Sequence, residues 1–369
     1  MKVIFALLPS LRLVYGSLDD EAIREFDIFK QEYSKSYSPD DEDYRRGVFI
    51  DNYKWIKEQN TRGDHSYVLG VTRFADMTNE EFATSYVATG LKGSVDDLTD
   101  YLDKHRQPTN SEVSSRALQD APPESINWVD RGVLGPVKDQ GQCGSCASFA
   151  TTGALEAHYA LAMGQTGNSI VPLSEQQLLD CIPSIGCNGG LPSLTYPYIN
   201  TSGITSESNY PYQTAKLACR SDLISTNSLV IQPGVVSGYT QINNNYDELL
   251  SAVGLIGPVA TMIDGTTPPF QHYKSGIING TTCDSLTLHI VVIVGYGVSE
   301  EGMKYWLIKN SWGTGWGEQG YAKVERGTGG RGRCGIESLS WYPHVNAAAA
   351  APTTTAPTSS STTGPASPA

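Results

Sequence analysis

Apolar residues recur at helical spacing in the first part of the chain. In "DDEAIREFDIFKQEY" (19–33), Ile23, Phe26 and Phe29 are spaced to share one face of a helix. The stretch "DDEDYRRGVFIDNYKWIKEQN" (40–60) repeats the pattern with Tyr44, Val48, Phe49, Trp55 and Ile56. Both stretches begin with acidic residues, which the positive end of a helix dipole favours. We therefore predict two amphipathic helices.

A third helix is predicted after the loop "GQCGSC" (141–146). Ser145 can act as the N-cap of a helix that begins at Cys146. The helix continues to about Met163, and Gly164 is suited to end it. Cys146 is therefore expected in the first helical turn.

Beyond about residue 255 the pattern changes to runs of β-branched residues separated by turns, which is typical of strands. Three such runs are "HIVVIVGYG" (289–297), "KYWLIKNSWG" (304–313) and "GYAKVER" (320–326). The body of the chain therefore combines a helical half with a sheet-rich half, an α+β arrangement. A cleft between two such halves is a common ligand site.

Composition indicates an ordinary globular protein. The chain has 369 residues, of which 39% are apolar and 18% charged. Its formal net charge of −13 at pH 7 opposes binding to nucleic acids and to anionic membrane surfaces. No apolar run in the sequence is long enough to span a bilayer. We expect a monomer that uses no metal ion or cofactor.

The two ends of the chain differ from the rest. Residues 1–17 combine a basic start, an apolar stretch and a small-residue cleavage pattern, which predicts a signal peptide; a buried first helix is the alternative. Residues 346–369 are almost wholly Ala, Pro, Thr and Ser, which predicts a disordered tail, either O-glycosylated or a bare linker. The sequons at Asn200 and Asn279 are candidates for N-glycosylation on surface loops.

All seven cysteines lie between positions 143 and 334. Outside the cytosol six of them can pair, which leaves one over. Cys143 and Cys146 have the spacing of a redox motif or half a zinc site, but no second CxxC or histidine pair follows at zinc spacing. Cys146 is the better candidate nucleophile, because unpaired N–H groups and the dipole at a helix start favour its thiolate.

A thiolate nucleophile needs a proton carrier and a group that orients this carrier. His289 begins one apolar strand pattern, and Asn310 ends the next. A hairpin between the two strands would place Asn310 beside His289 and fix the tautomer of the imidazole. Cys146, His289 and Asn310 therefore form a candidate catalytic group.

Four motifs in the body resemble those of papain and the cathepsin L-like cysteine proteases, from about Ala121 to Val345. They are "QGQCGSC", "CNGG", "LHIVVIVGYG" and "KNSWGTGWG". Residues 18–105, the first segment, resemble the ERFNIN-type propeptide of that family. The matching positions are Asp41, Arg45, Phe49, Asn52, Ile56 and Asn60, with Asp41 in place of glutamate. "GVTRFAD" (70–76) is similar to the family's GxNxFxD motif, with Thr72 in place of asparagine.

The resemblance implies a cysteine endopeptidase with a papain-like fold: a helical left domain, a β-barrel-like right domain and a cleft between them. Cys146 would be the nucleophile and His289 its general acid/base partner. Asn310 would orient the imidazole, and Gln140 would donate to the oxyanion together with the Cys146 N–H. Trp312 would shield the His289–Asn310 hydrogen bond from water.

The same resemblance implies a substrate cleft. An extended substrate would lie along Gly144, Gly189 and Gly190. The pocket for the P2 residue would be lined by Leu191, Pro192, Met262, Leu288, Ile290 and Leu339. Every lining residue is apolar, and Leu339 stands where relatives that accept arginine carry an acid. We therefore predict preference for an apolar P2 residue.

The resemblance also implies how the cysteines pair and how the chain is divided. The implied disulfides are Cys143–Cys187, Cys181–Cys219 and Cys283–Cys334, which leaves Cys146 free. The predicted units are a signal peptide (1–17), an inhibitory propeptide (18–120), a peptidase domain (121–345) and a tail (346–369).

The expected partners are protein or peptide substrates, the chain's own propeptide and cystatin-like inhibitors. The propeptide would block the cleft, and protonation of its carboxylates in acid would weaken its fold. The expected location is the secretory pathway, ending in a lysosome or vacuole or outside the cell.

Three positions depart from the family pattern. Ala147 replaces the tryptophan that usually follows the nucleophile, and Leu288 and Ile290 flank His289 where smaller or polar residues are common. These changes keep open a second hypothesis, a weakly active relative that serves as a binding or structural protein. A disulfide oxidoreductase would require Cys143 to pair with Cys146. No insertion typical of the exopeptidase relatives is visible, which favours an endopeptidase.

Overall fold

The computed structural model describes residues 18–87, 121–280, 283 and 288–350. The predicted signal peptide, the segment 88–120 and the tail beyond residue 350 lie outside these residues. The helices are α1 (Leu18–Glu32), α2 (Pro39–Arg62), α3 (Asn79–Tyr86), α4 (Cys146–Met163), α5 (Glu175–Cys181), α6 (Pro192–Ser202), α7 (Tyr246–Ser251), α8 (Pro268–Gln271) and α9 (Ala347–Ala350). The strands are β1 (Ser66–Leu69), β2 (Ile126–Asn127), β3 (Ile204–Thr205), β4 (Leu229–Ile231), β5 (Val236–Asn243), β6 (Val259–Asp264), β7 (Tyr273–Ile278), β8 (Leu288–Val298), β9 (Lys304–Lys309), β10 (Tyr321–Glu325) and β11 (Leu339–Val345).

Helices α1 and α2 are the amphipathic pair predicted from the apolar spacing. Phe26 of α1 packs against Phe49 of α2, with ring centroids 5.3 Å apart. Ile23 and Tyr44 are 44% and 51% exposed, so their predicted place on the buried faces is wrong. Ala22, four residues before Phe26, takes the buried position instead of Ile23 because it lies on the same side of the helix.

Residues of the propeptide motif connect α2 to the segment around β1. Asn52 donates hydrogen bonds to the main-chain carbonyls of Ala75 and Met77, both at 2.9 Å. Asn60 exchanges two hydrogen bonds with the main chain of Leu69, at 2.8 and 2.9 Å. The motif asparagines therefore provide hydrogen-bond partners for main-chain groups of Leu69, Ala75 and Met77.

A nine-stranded sheet forms the second half of the molecule. Its strand order is β1-β7-β10-β9-β8-β6-β11-β5, with β2 beside β8. Neighbouring strands are antiparallel except β7 and β10, which are parallel. The sheet begins earlier in the chain than the predicted residue 255, because β5 pairs with β11 and the first segment contributes β1 at one edge.

Helix α4 lies at the boundary between the two halves. It contacts α5 and α6 on one side and β6, β8 and β11 on the other. Gly153 permits the close approach to β8, since a Cβ there would lie 3.3 Å from the Val292 side chain. Ser145 occupies the predicted N-cap position, but its hydroxyl makes no capping hydrogen bond. Cys146 at the start of α4 is therefore buried where the helical half meets the sheet.

The three disulfides are those implied by the family resemblance: Cys143–Cys187, Cys181–Cys219 and Cys283–Cys334. Cys146 is the free cysteine. Because Cys143 is bonded to Cys187, the structure excludes the redox pairing of Cys143 with Cys146.

The described chain ends just after β11. Ala347–Ala350, near the start of the predicted tail, form one short helix. The remainder of the predicted tail lies outside the described residues. None of the helices within the described ranges combines the length and the apolar character that crossing a membrane requires.

Candidate active site

The β8–β9 pairing brings His289 and Asn310 together, as the strand pattern predicts. His289 is the second residue of β8, and Asn310 directly follows β9. His289 Nε2 and Asn310 Oδ1 are 2.7 Å apart, and Oδ1 also accepts the Ser311 main-chain N–H at 2.8 Å. An atom that accepts a main-chain N–H is the amide oxygen, so His289 Nε2 must be the donor toward it. The lone pair of the ring therefore lies on Nδ1.

Nδ1 of His289 is buried and has no hydrogen-bond partner among the described residues. Burial lowers the pKa of His289 to about 4, although the hydrogen bond to Asn310 acts in the opposite direction. The imidazole is therefore neutral over most of the pH range, with an unoccupied lone pair as a general base requires.

Cys146 lies in the first turn of α4, as predicted, and its side chain is fully buried. Burial raises the pKa of the thiol to about 11, although the N–H groups of Ile290, Ala147 and Cys146 that point at the sulfur lower it. Ile290 directly follows His289, so the sulfur lies next to the part of β8 that carries the candidate base. Burial holds both Cys146 and His289 neutral.

The side-chain amide of Gln140 is fixed by Ser311. Its Oε1 accepts the Ser311 hydroxyl at 2.6 Å, which leaves Nε2 as the group that faces the cleft. Nε2 donates to the carbonyls of Cys143 and Tyr86, at 2.8 and 3.0 Å. Tyr86 is the last residue of α3, so a carbonyl of the first segment takes the expected oxyanion donor.

Trp312 covers the histidine. Its ring stacks on His289 with centroids 4.5 Å apart and planes 21° apart. Phe270 approaches Trp312 edge-on at 5.5 Å, and Phe74 and Phe82 of the first segment do so at 5.5 and 5.1 Å. Trp312 and the rings packed against it therefore cover one face of His289, an arrangement compatible with the predicted shield against water.

The first segment is held over the site by Gln271, which ends α8. Gln271 Nε2 donates to the carbonyls of Phe74 and Met77, both at 3.1 Å, and its Oε1 accepts from Asn79 at 3.0 Å. The Gln271 carbonyl accepts the Thr72 hydroxyl at 3.0 Å. Thr72 stands where the family motif has asparagine, and it makes a buried polar contact there.

The residues expected to contact substrate lie around the same point. The Val87 carbonyl of the first segment lies beside Gly144, where a Cβ would collide with the Cys187 carbonyl. Gly189 exchanges two main-chain hydrogen bonds with Gly186, at 3.0 and 3.1 Å. The main chain of Gly190 is thus better placed than that of Gly189 to pair with a substrate.

The expected P2 pocket forms one buried apolar cluster with the nucleophile. This cluster includes Leu191, Met262, Ile290 and Leu339 together with Cys146 and Ala147. Pro192 is buried at the start of α6. The main chain of Leu288 pairs with that of Asp264 where β8 lies beside β6. The Leu288 side chain is not among the groups that the structure describes. Five of the six predicted lining residues are therefore buried close to this end of the cleft.

A buried ionic cluster lies behind the site and was not predicted. Lys138 Nζ donates to Glu156 at 2.9 Å, to Glu175 at 2.6 Å and to the Leu173 carbonyl at 2.8 Å. These charged residues and Lys309 line a small cavity that also touches Asn310 and Ser311. Burial raises the pKa of Glu175 to about 7, opposed by Lys138, and lowers the pKa of Lys309 to about 8.

One sequence signal could have revealed this cluster. Glu156 is the only charged residue among Cys146–Met163, and an isolated charge in a buried helix needs a partner. Ser311, which binds both Asn310 and Gln140, gave no comparable signal because a serine after a strand is common in loops.

Comparison with known proteins agrees with this geometry. Residues 122–344 match the model of the papain family cysteine proteases, and residues 26–82 match the cathepsin propeptide inhibitor domain. The chain belongs to the papain family. The predicted family, the papain-like α+β fold and the assignment as a cysteine endopeptidase are thereby confirmed, and so is an intramolecular propeptide.

Relatives cover nearly the whole chain. Digestive cysteine proteinase 1 of Homarus americanus is 37% identical and covers 94% of this chain and 100% of its own length. Cathepsin L-like proteinase of Fasciola hepatica is 38% identical, with 90% and 95% covered. The structure of digestive procathepsin L 3 from Tenebrio molitor larval midgut superposes with a TM-score of 0.74 at 36% identity, covering 89% of this chain and all of its own.

Removal of one member of the buried ionic cluster should destabilise this chain. Lys138→Met leaves Glu156 and Glu175 buried without their cation, which we expect to destabilise the precursor by about 3–5 kcal/mol. Denaturant unfolding of the precursor measures this change. Lys304→Met at an exposed position is the matched control. A loss below about 1 kcal/mol for Lys138→Met would contradict the prediction.

Proposed function

We propose that this papain-family precursor becomes an acid-active endopeptidase in which Cys146 and His289 carry out the covalent chemistry. The observation that carries the proposal is the 2.7 Å His289–Asn310 contact, which leaves the Nδ1 lone pair unoccupied one residue before Ile290, whose N–H points at the Cys146 sulfur. Gln140 and the Cys146 N–H are the proposed oxyanion donors, because the Gln140 amide is oriented by Ser311 with Nε2 toward the cleft.

The proposed reaction uses these groups in sequence. His289 Nδ1 takes the thiol proton of Cys146, and the thiolate adds to the carbonyl carbon of the scissile peptide. The carbonyl π electrons move to oxygen, where Gln140 Nε2 and the Cys146 N–H stabilise the charge. Collapse transfers the Nδ1 proton to the leaving amine. Water, deprotonated by His289, then hydrolyses the thioester and restores the thiol.

The covered precursor should not support this chemistry. Its thiol has a pKa of about 11 and its imidazole a pKa of about 4, so transfer of the proton from Cys146 to His289 is strongly unfavourable. Removal of the propeptide would admit water and expose the helix start. Both changes favour the charged pair, because hydration relieves the burial that holds the two groups neutral.

Acid activation is supported by Glu81 in α3. Burial raises the pKa of Glu81, but the hydrogen bonds from the Thr78 N–H and from Arg45 outweigh it and lower the pKa below 4.5. A carboxylate whose pKa is lowered by folding stabilises the folded propeptide at pH values above the pKa that this group has in the unfolded chain. That contribution is lost as pH falls through the folded pKa. Acid therefore loosens the contact of α3 with α2.

His272 provides a second acid-sensitive contact. Its carbonyl accepts the Gly70 N–H at 2.9 Å, and its ring lies against Trp55 of α2 with centroids 5.9 Å apart. Burial lowers the pKa of His272 to about 3, and no neighbouring charge opposes it. A histidine exposed after undocking regains an ordinary pKa near 6.5. Docking of the propeptide on the peptidase domain is thus strongest above about pH 6.5 and weakens as pH falls toward 3.

The cellular setting is a proposal from the sequence. The leader pattern in residues 1–17 and the three disulfides support entry into the secretory pathway. Location in a lysosome or vacuole, or outside the cell, would provide the acid pH or the substrates. The sequons at Asn200 and Asn279 would then be candidates for glycosylation. Asn200 lies within α6, so its predicted place on a loop is wrong, and the Asn279 side chain bonds Ser66 of β1 in the precursor.

The nucleophile assignment predicts complete loss of activity in Cys146→Ala. We expect peptide cleavage to fall at least about 10⁴-fold, because the other groups cannot form a thioester. Cleavage is measured on precursor converted at acid pH in reducing buffer, alongside labelling by a thiol-alkylating epoxide. Ser148→Ala on the same helix is the control and should retain activity. If the wild type neither cleaves nor is labelled, the binding-protein hypothesis takes precedence.

The pocket assignment predicts an apolar P2 preference. Matched peptides with leucine or arginine at P2 should differ by about 10-fold or more in kcat/KM, because burying arginine against Leu339 and Met262 leaves its charge unpaired. Leu339→Glu should reduce the ratio of kcat/KM for the leucine peptide to that for the arginine peptide. Leu339→Asn removes the apolar surface without adding a charge, and therefore shows how much of the change is due to the charge. Equal cleavage of both peptides by the wild type would refute the assignment.

The acid-sensitive contact predicts a weaker pH dependence in His272→Leu. Undocking of the propeptide then takes up one proton fewer. Between pH 6.5 and 4.5, the logarithm of the rate of precursor conversion should therefore rise by about one unit less for each unit of pH decrease. The rate is followed by loss of full-length precursor. His344→Gln is the control, because the His344 ring bonds Thr240 of β5. An unchanged slope in His272→Leu would show that this histidine does not sense acid.

A further inference from the structure

The loop from Gln140 to Cys146 carries both proposed oxyanion donors, and a tyrosine from a distant part of the chain holds its two ends. The Tyr212 hydroxyl donates to the Gln140 main-chain carbonyl at 2.8 Å. The same hydroxyl oxygen is 2.6 Å from the Ser145 hydroxyl. Because the single phenolic proton points to Gln140, Ser145 is the donor in the second bond.

Ser145 is diverted from the role that its position favours. A serine at an N-cap ordinarily accepts an N–H from the first helical turn. Here Ser145 makes no such bond, and its hydroxyl turns to Tyr212 instead. The residue directly before the nucleophile is thus connected to Gln140 through one phenol oxygen.

Tyr212 itself is rigidly placed. Its ring meets Phe149 of α4 edge-to-face with centroids 4.8 Å apart, and its main-chain N–H donates to Glu207 at 2.8 Å. Burial raises the pKa of Tyr212 above its ordinary value, although the Ser145 hydroxyl acts in the opposite direction. The phenol therefore keeps its proton and stays a donor.

The remaining polar groups of Gln140 are also fixed. Its main-chain N–H donates to the Ser311 carbonyl at 2.9 Å, and its side chain is held by the Ser311 hydroxyl. Ser311 therefore orients the Gln140 side chain. Gln140 Nε2 also donates to the Cys143 carbonyl at 2.8 Å, and this carbonyl accepts the Ser145 N–H at 2.7 Å. Tyr212 provides a second connection, from the Gln140 carbonyl to the Ser145 hydroxyl, which limits movement of Gln140 Nε2 relative to the Cys146 N–H.

We propose that Tyr212 is a positioning residue that sets the spacing of the two oxyanion donors. This rests on the proposed roles of Gln140 and Cys146. Tyr212 touches no reacting atom: it acts by holding Gln140 and Ser145 in the arrangement that receives the charge on the carbonyl oxygen. Donors that are preorganised in this way matter most in the transition state, so their displacement lowers kcat more than it raises KM.

Tyr212→Phe tests the proposal, with Tyr210→Phe as the matched control. Tyr210 belongs to the same segment, but its hydroxyl bonds Asp180 at 2.7 Å. In precursor converted at acid pH, we expect Tyr212→Phe to lower kcat about 10-fold to 100-fold with KM changed less than about threefold. Tyr210→Phe should leave both near the wild-type values.

Two further readouts distinguish positioning from general damage. A peptide aldehyde forms a tetrahedral adduct at Cys146 and needs the oxyanion donors, so its inhibition constant should weaken in parallel with kcat/KM. Alkylation of Cys146 by iodoacetamide places no charge on the oxyanion donors and should keep its wild-type rate and pH profile. Slower alkylation of Tyr212→Phe would indicate damage to the nucleophile and overturn the proposal.

Two more variants separate this proposal from the function on which it rests. Gln140→Ala with wild-type kcat would refute the oxyanion assignment itself. If Gln140→Ala lowers kcat and Tyr212→Phe does not, only the positioning role is refuted. The double variant should resemble Gln140→Ala alone, since the tyrosine then has no side-chain donor to place. Should Tyr212→Phe fail to fold, Ser145→Ala breaks the same link and must lower kcat, or the proposal fails.

Discussion

Asn310 Oδ1 accepts two hydrogen bonds, and the remaining geometry of the site depends on them. The Ser311 N–H fixes this atom as the amide oxygen, and the amide oxygen fixes the proton of His289 on Nε2. The Nδ1 lone pair is thereby directed to the side of the ring away from Asn310. Because Asn310 follows β9 and His289 lies on β8, this arrangement is set by strand pairing and needs no flexible loop to close.

The sheet places His289, the proposed base, whereas α4 places Cys146, the proposed nucleophile, so the site requires the two halves to keep a fixed separation. Gly153 allows α4 to approach β8 closely. The Lys138 cluster joins α4 to α5 behind the site and borders Asn310 and Ser311. A buried ion pair is weak support for stability in general, but loss of one member is costly. The cluster therefore constrains the junction more than it stabilises the fold.

The sequence was sufficient for features that depend on local patterns. The helix from Cys146, the β8–β9 hairpin and the place of Asn310 follow from periodicity and turns, and the disulfide pairing followed from the family resemblance. Ile23 was misplaced because it stands at helical spacing from Phe26 but six positions from Phe29, which turns it away from the shared face. Ala22 stands four and seven positions before these two residues and is the one that is buried. Tyr212 and Ser311 could not be found in this way. Their roles depend on contacts across 72 and 171 positions, which no local pattern encodes.

The precursor differs from an active enzyme in what covers the site more than in how the site is built. His289 already bonds Asn310, and Gln140 Nε2 already donates to a carbonyl, that of Tyr86, at 3.0 Å. A peptide carbonyl thus occupies the proposed donor without being cleaved, and burial keeps Cys146 and His289 neutral beneath it. Activation then requires separation of the propeptide rather than rearrangement of catalytic groups. The barrier to activation lies in contacts such as those of Gln271 and His272, and their strength determines when the enzyme becomes active.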